Sequence, residues 1–106
     1  MKKKKTEKIV ERGKVYITAT FNNTIITITD DKGLPFIVGS CGMHGFAGTR
    51  KSTPYAATIT AESTLKKAVN DFGFREATVF VKGIGPGREA ALRVLKAASI
   101  EVNKII

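Results

Sequence analysis

The stretch Lys82-Gly-Ile-Gly-Pro-Gly-Arg88 sets three glycines at alternate positions between two cations, just ahead of a segment with helical apolar spacing. Glycines at positions 83, 85 and 87 let a polyanion approach the backbone. A helix opening at Arg88 adds unpaired N–H groups and the positive end of its dipole. The chemistry is phosphate binding, with Lys82, Gly83, Gly85, Pro86, Gly87 and Arg88 as the cradle. A nucleoside-triphosphate loop fits less well, because it needs Lys followed by Ser or Thr after its last glycine, and Arg88-Glu89 stands there. The dinucleotide fingerprint fails as well, since its third glycine falls on Arg88. A bare turn joining strand to helix would use the same glycines; the flanking cations favour phosphate.

A second basic loop runs from Gly39 to Thr53, where glycine recurs at every third position from Gly39 to Gly48 and then gives way to Thr49-Arg50-Lys51-Ser52-Thr53. Collagen needs many more such triplets, so this is a backbone-rich loop. Arg50, Lys51 and Ser52 stand immediately before a second expected helix N-terminus. His44 and Phe46, on either side of Gly45, could stack on unpaired bases or simply pack the loop. Cys41 and His44 would supply two metal ligands with no others nearby, too few for a zinc site, and read as ordinary loop residues.

The elements that position these loops follow from periodicity. Val15, Ile17, Ala19 and Phe21 alternate with Lys14, Tyr16, Thr18 and Thr20, a strand with one apolar face. Asn22-Asn23 predicts a hairpin turn, and Thr24 to Thr29 the returning strand. Asp30-Asp31-Lys32-Gly33 is a second turn, and Leu34 to Val38 a third strand, with Pro35 at an edge or a strand start. Thr53 and Pro54 form an N-cap and first-turn pair for a helix whose stripe is Ala57, Ala61, Leu65, Ala68 and Phe72, with Gly73 as its C-terminal cap. Ala77 to Lys82 is a fourth strand. A second helix presents Ala91, Val94, Leu95 and Ala98 on one face, and Ile100 to Ile106 is a last strand. Parallel crossovers join the last three strands. The expected fold is α/β: a mixed five-stranded sheet with two covering helices, similar to the ribonuclease H topology. If the third and fourth strands run parallel, both basic loops lie on one rim, where open α/β sheets bind ligands.

Nucleases of that topology hold metal ions with acids on the first strand, the first helix and the fourth strand. Here the first strand has no acid, and Glu62 and Glu76 read as solvated charges, so no catalysis, cofactor or small-molecule substrate is expected. The composition points the same way. Across 106 residues, 18 Lys and Arg against 9 Asp and Glu give +9, an attraction for polyanions. Lys2, Lys3, Lys4, Lys5, Lys8, Arg12 and Lys14, set against Glu7 and Glu11, put +5 on the first fourteen residues and leave the body basic without them. Residues 1–13 read as a flexible basic arm that orders on phosphates, with a solubilising tail as the alternative; residues 14–106 read as one α/β RNA-binding domain. No window approaches the roughly 18 apolar residues of a membrane span, and no apolar run follows the opening lysines, so a soluble, unexported chain is expected. One cysteine fits a reducing compartment.

Three ordered segments, Phe21-Asn-Asn-Thr-Ile-Ile-Thr-Ile-Thr-Asp30, Arg50-Lys-Ser-Thr-Pro-Tyr-Ala-Ala57 and Val81-Lys-Gly-Ile-Gly-Pro-Gly-Arg-Glu89, closely resemble the bacterial type of the small-subunit ribosomal protein eleven family. The likeness runs from about Val15 to the C-terminus. It implies a protein without catalysis that binds small-subunit ribosomal RNA and helps form the platform beside the messenger exit site, in a cytoplasmic or an organellar ribosome. It further implies small-subunit proteins eighteen and twenty-one as neighbours, with protein seven across the messenger path. By resemblance the RNA-facing residues include Asn22, Asn23, Arg50, Lys51, Ser52, Lys82, Gly85, Gly87 and Arg88; Arg93 on the second helix completes the basic set. Family members continue past the last strand into a proline-containing basic tail that this sequence, ending at Ile106, does not contain.

Overall fold

Alternation of β-branched and polar residues produces the first hairpin. In a computed structural model that describes residues 9–45, 48, 51 and 53–106, with only the backbone of His44, Arg12–Ala19 forms β1 and Thr24–Asp30 forms β2. They pair antiparallel with Ile17 opposite Ile26 and Val15 opposite Ile28. These four side chains are buried, because a period of two sends every second residue to the same face. Asp30 closes the next turn by accepting at Oδ1 from the Lys32 and Leu34 N–H groups, both at 2.9 Å. Pro35–Ser40 then forms β3, antiparallel to β2 and at the edge of the sheet, where a proline lacking an N–H costs no ladder bond.

A 3₁₀ turn at Cys41–His44 follows, and Pro54–Phe72 forms α1. The Thr53 hydroxyl accepts from the Ala56 N–H at 3.1 Å, so the N-cap stands where Thr-Pro set it. At the other end the Gly73 N–H donates to the Val69 carbonyl at 3.1 Å and the Phe74 N–H to that of Ala68 at 3.2 Å, a glycine-terminated helix end. Glu76–Lys82 forms β4, Arg88–Ala97 α2 and Glu101–Ile105 β5. The sheet order is β3-β2-β1-β4-β5, with β1, β4 and β5 mutually parallel. The mixed sheet, two helices and parallel crossovers match the expected fold.

Both helices pack on one face of the sheet. Val15, Ile17, Ile26, Ile28 and Val79 interlock with Ala61, Leu65, Ala68, Ala91 and Leu95 in a single core. Phe74 is fully buried beneath Phe36, their rings 5.9 Å apart. Alanine dominates the helix faces turned to the sheet, so the backbones sit close to it.

Two details differ from the periodic reading. β1 opens at Arg12, inside the segment expected to be a free arm, because Val10 is buried, its N–H donates to the Phe72 carbonyl at 2.8 Å, and the Glu11 carbonyl accepts from the Arg75 and Glu76 N–H groups. Two adjacent apolar residues, Ile9 and Val10, in a polar run give no period to read. Phe21, taken as the last inward residue of the first strand, is instead 72% exposed. The strand ends at Ala19, and the Thr20 hydroxyl accepts from the N–H groups of Asn22 and Asn23, turning the chain before Phe21 can complete the alternation.

Candidate nucleic-acid interface

Because β1 and β4 are parallel and β3 is antiparallel to β2, the carboxyl ends of β1, β3 and β4 lie on one rim. The β1–β2 hairpin, the β3–α1 connection and the β4–α2 turn therefore meet. The meeting is close. The Gly85 N–H donates to the Ala19 carbonyl at 3.0 Å, stitching the glycine turn to the end of β1. Gly83 has φ +94°, and a Cβ there would strike the Ala19 carbonyl oxygen, so both conformation and space demand glycine. At Gly87, the residue before α2, a Cβ would meet Thr24 Oγ1 and the Ala57 methyl, which places the N-terminus of α2 against β2 and α1 at once.

Arg88 fixes the turn from the other side: its Nη1 donates to the Gly83 carbonyl at 2.8 Å, and its N–H to that of Gly85 at 3.2 Å. The side chain is half-buried, and Lys82 across the turn is exposed. Gly87 provides no side-chain cap for the first turn of α2, which stands at the positive end of the helix. Its one acidic residue, Glu89, is exposed.

Asn23 joins the hairpin to the second loop. Its Oδ1 accepts from the Thr24 N–H at 2.8 Å and from the Cys41 N–H at 3.3 Å. Cys41 is buried and its Sγ accepts from the Thr60 hydroxyl at 3.3 Å, tying the loop on to α1. Asn23 thus holds the rim together through its side-chain carbonyl. Asn22, beside it, is exposed.

Of the residues singled out from sequence, Asn22, Asn23, Gly45, Lys51, Lys82, Gly83, Gly85, Pro86, Gly87 and Arg88 belong to these three connections. Lys2, Lys3, Lys4, Lys5, Lys8, Phe46, Arg50, Ser52 and the side chain of His44 lie outside the described residues. Arg12 and Arg93 stand apart from the rim. Arg12 is at the opposite end of β1, its Nε 3.4 Å from Glu76 Oε1, and Arg93 is exposed beside the groove between α1 and α2. Glu76, read as a solvated charge, is in fact the first residue of β4 and also accepts from Asn103 Nδ2 at 2.7 Å. Among the described residues no three His, Cys, Asp or Glu side chains converge as a metal site, and no helix is long and apolar enough to cross a membrane.

The rim also carries large apolar side chains that composition did not reveal. Phe21 in the hairpin and Ile84 between two glycines of the β4–α2 turn are 72% and 78% exposed, and Met43 in the β3–α1 connection and Tyr55 in the first turn of α1 are exposed as well. Ile84 had a readable signal, since a residue flanked by glycines in a tight turn cannot reach the core. Phe21 had none, because its position continues the strand's alternation.

A rim of glycine backbone, cations and exposed apolar rings grips an irregular polyanion better than it encloses a small molecule. The family model described as Ribosomal protein S11 matches residues 13–106, which takes in every strand and both helices apart from the first residue of β1. The chain belongs to the ribosomal protein S11 family, and so is a non-enzymatic structural component of the small ribosomal subunit that binds its RNA.

Proposed function

We propose that this chain clamps the RNA of the small-subunit platform beside the messenger exit path, with the three-connection rim as its grip. The observation that carries the reading is the convergence of Asn22, Lys82 and Arg88 with the exposed Phe21 and Ile84 on one edge of a sheet whose strand ends are locked together. Phosphates seat at the glycine turn and the start of α2, with Arg50, Lys51 and Ser52 extending the contact before α1. Phe21 and Ile84 press on unstacked bases or sugar faces. Lys2, Lys3, Lys4, Lys5 and Lys8 add contacts along the RNA backbone, whose charge makes them sensitive to salt. The neighbours in this reading are small-subunit proteins eighteen and twenty-one, with protein seven across the messenger channel.

The test is a titration of the chain against a platform RNA fragment and an unrelated hairpin of equal length, at two salt concentrations. Preference for the platform fragment that survives the higher salt is the expected result. Equal and salt-fragile binding to both would reduce the chain to a generic polycation and overturn the platform reading.

A further inference from the structure

The two helices cover one face of the sheet, and among the described residues no helix lies over the other. The strand register places the side chains of this open face in rows. The central row runs Val38, Thr27, Tyr16, Phe80 across β3, β2, β1 and β4. In it the Tyr16 and Phe80 rings stack, with centroids 4.9 Å apart and planes 12° from parallel, both half-buried. The row two residues toward the rim carries exposed Lys82, and the row two residues away from it carries Lys14 and Lys104, from β1 and β5. Two residues of strand span roughly 6.6 Å, so cations bracket the aromatic pair along the strand direction. The acids nearest these rows, Glu76 and Glu101, stand one row further on at the end of the sheet away from the rim, where Glu76 is engaged by Arg12 and Asn103.

An aromatic pair bracketed by lysines, continuous through Lys82 with the glycine turn, has the chemistry of a surface for unpaired nucleotides. Bases stack on rings whatever their identity, and lysines follow the phosphates. We propose that the open sheet face is a second RNA-binding surface, on which unpaired bases stack against the Tyr16–Phe80 pair while Lys14, Lys82 and Lys104 hold the neighbouring phosphates. The proposal rests on RNA binding by this family and adds a surface to it; the rim can grip RNA whether or not the face does.

The experiment uses the full chain reconstituted into small subunits, with p-benzoylphenylalanine in place of Phe80 or, in a second preparation, of the 49% exposed Val38. Irradiation is expected to cross-link both positions to ribosomal RNA. Cross-links to a ribosomal protein would make the face a protein interface, and incorporation without cross-linking would leave it bare; either overturns the proposal. A second measurement compares binding of a single-stranded octaadenylate and of an eight-base-pair RNA duplex. Tyr16→Leu with Phe80→Leu, which keeps apolar bulk on the sheet, should weaken the single strand roughly tenfold and leave the duplex unchanged. Unchanged binding of the single strand in a variant with wild-type circular dichroism overturns stacking at this pair. Arg88→Ala, a rim change, should lower binding of both RNAs, so failure of the face and failure of the rim give different patterns.

Discussion

The side-chain oxygen of Asn23 accepts the backbone N–H of Cys41 at 3.3 Å, so one residue of the first hairpin holds the loop that follows the third strand, eighteen residues on. The same oxygen takes the Thr24 N–H. Removing it in Asn23→Ala leaves two partly buried donors to find other partners, at a cost of about 1–3 kcal/mol. Thermal unfolding should show a Tm several degrees lower, at roughly 4–8 °C per kcal/mol for a domain of this size. Asn23→Asp keeps an acceptor oxygen in place and should melt closer to the parent. Identical melting of parent and Ala variant would show that the bridge contributes nothing.

Thr24 is fully buried, and its hydroxyl has no hydrogen-bond partner among the described residues. Thr24→Val replaces that oxygen with a methyl of similar size, which should leave stability unchanged or raise it by about 1 kcal/mol, as read by chemical denaturation. A loss of more than that would show the hydroxyl is bonded. The neighbouring Gly87→Ala change should act in the opposite sense. Its new methyl meets Thr24 and Ala57, neither a flexible chain end, and overpacking there should cost about 1–3 kcal/mol.

Lys82 and Arg88 flank the same turn but do different work. Lys82 is exposed and its side chain closes no bond among the described residues, so Lys82→Ala should leave the Tm alone and flatten the salt dependence of RNA binding by about one unit. Arg88→Ala removes both a charge and the bond to the Gly83 carbonyl, so affinity and Tm should fall together. An unchanged salt slope in either variant would take that residue out of the RNA contact.

Phe21 projects into solvent from the hairpin. Phe21→Ser should change folding stability by no more than about 0.5 kcal/mol, as surface substitutions usually do. If the ring meets bases, affinity for platform RNA should drop roughly tenfold, measured by filter binding. Unaltered affinity would restrict the rim's grip to its cations and glycine backbone.

Much of this protein is determined locally. The alternation from Val15 to Ala19, the Thr53-Pro54 start, the Gly73 stop and the glycines before Arg88 each act through neighbours in the chain, and each stands where its residue types demand. Three ordered segments were enough for the family likeness. What only tertiary structure decided concerns residues whose environment comes from distant chain. Val10 enters the core because the end of α1 receives its N–H, and Phe21 leaves the core because Thr20 turns the strand one step early. Asn23 spends its carbonyl on a loop eighteen residues away, and Arg12 is drawn to Glu76 at the far end of the sheet from the glycine turn. The open face, with Tyr16 on Phe80, exists because both helices chose the same side. Periodicity reports which residues share a face; only the packed sheet decides what, if anything, lies against it.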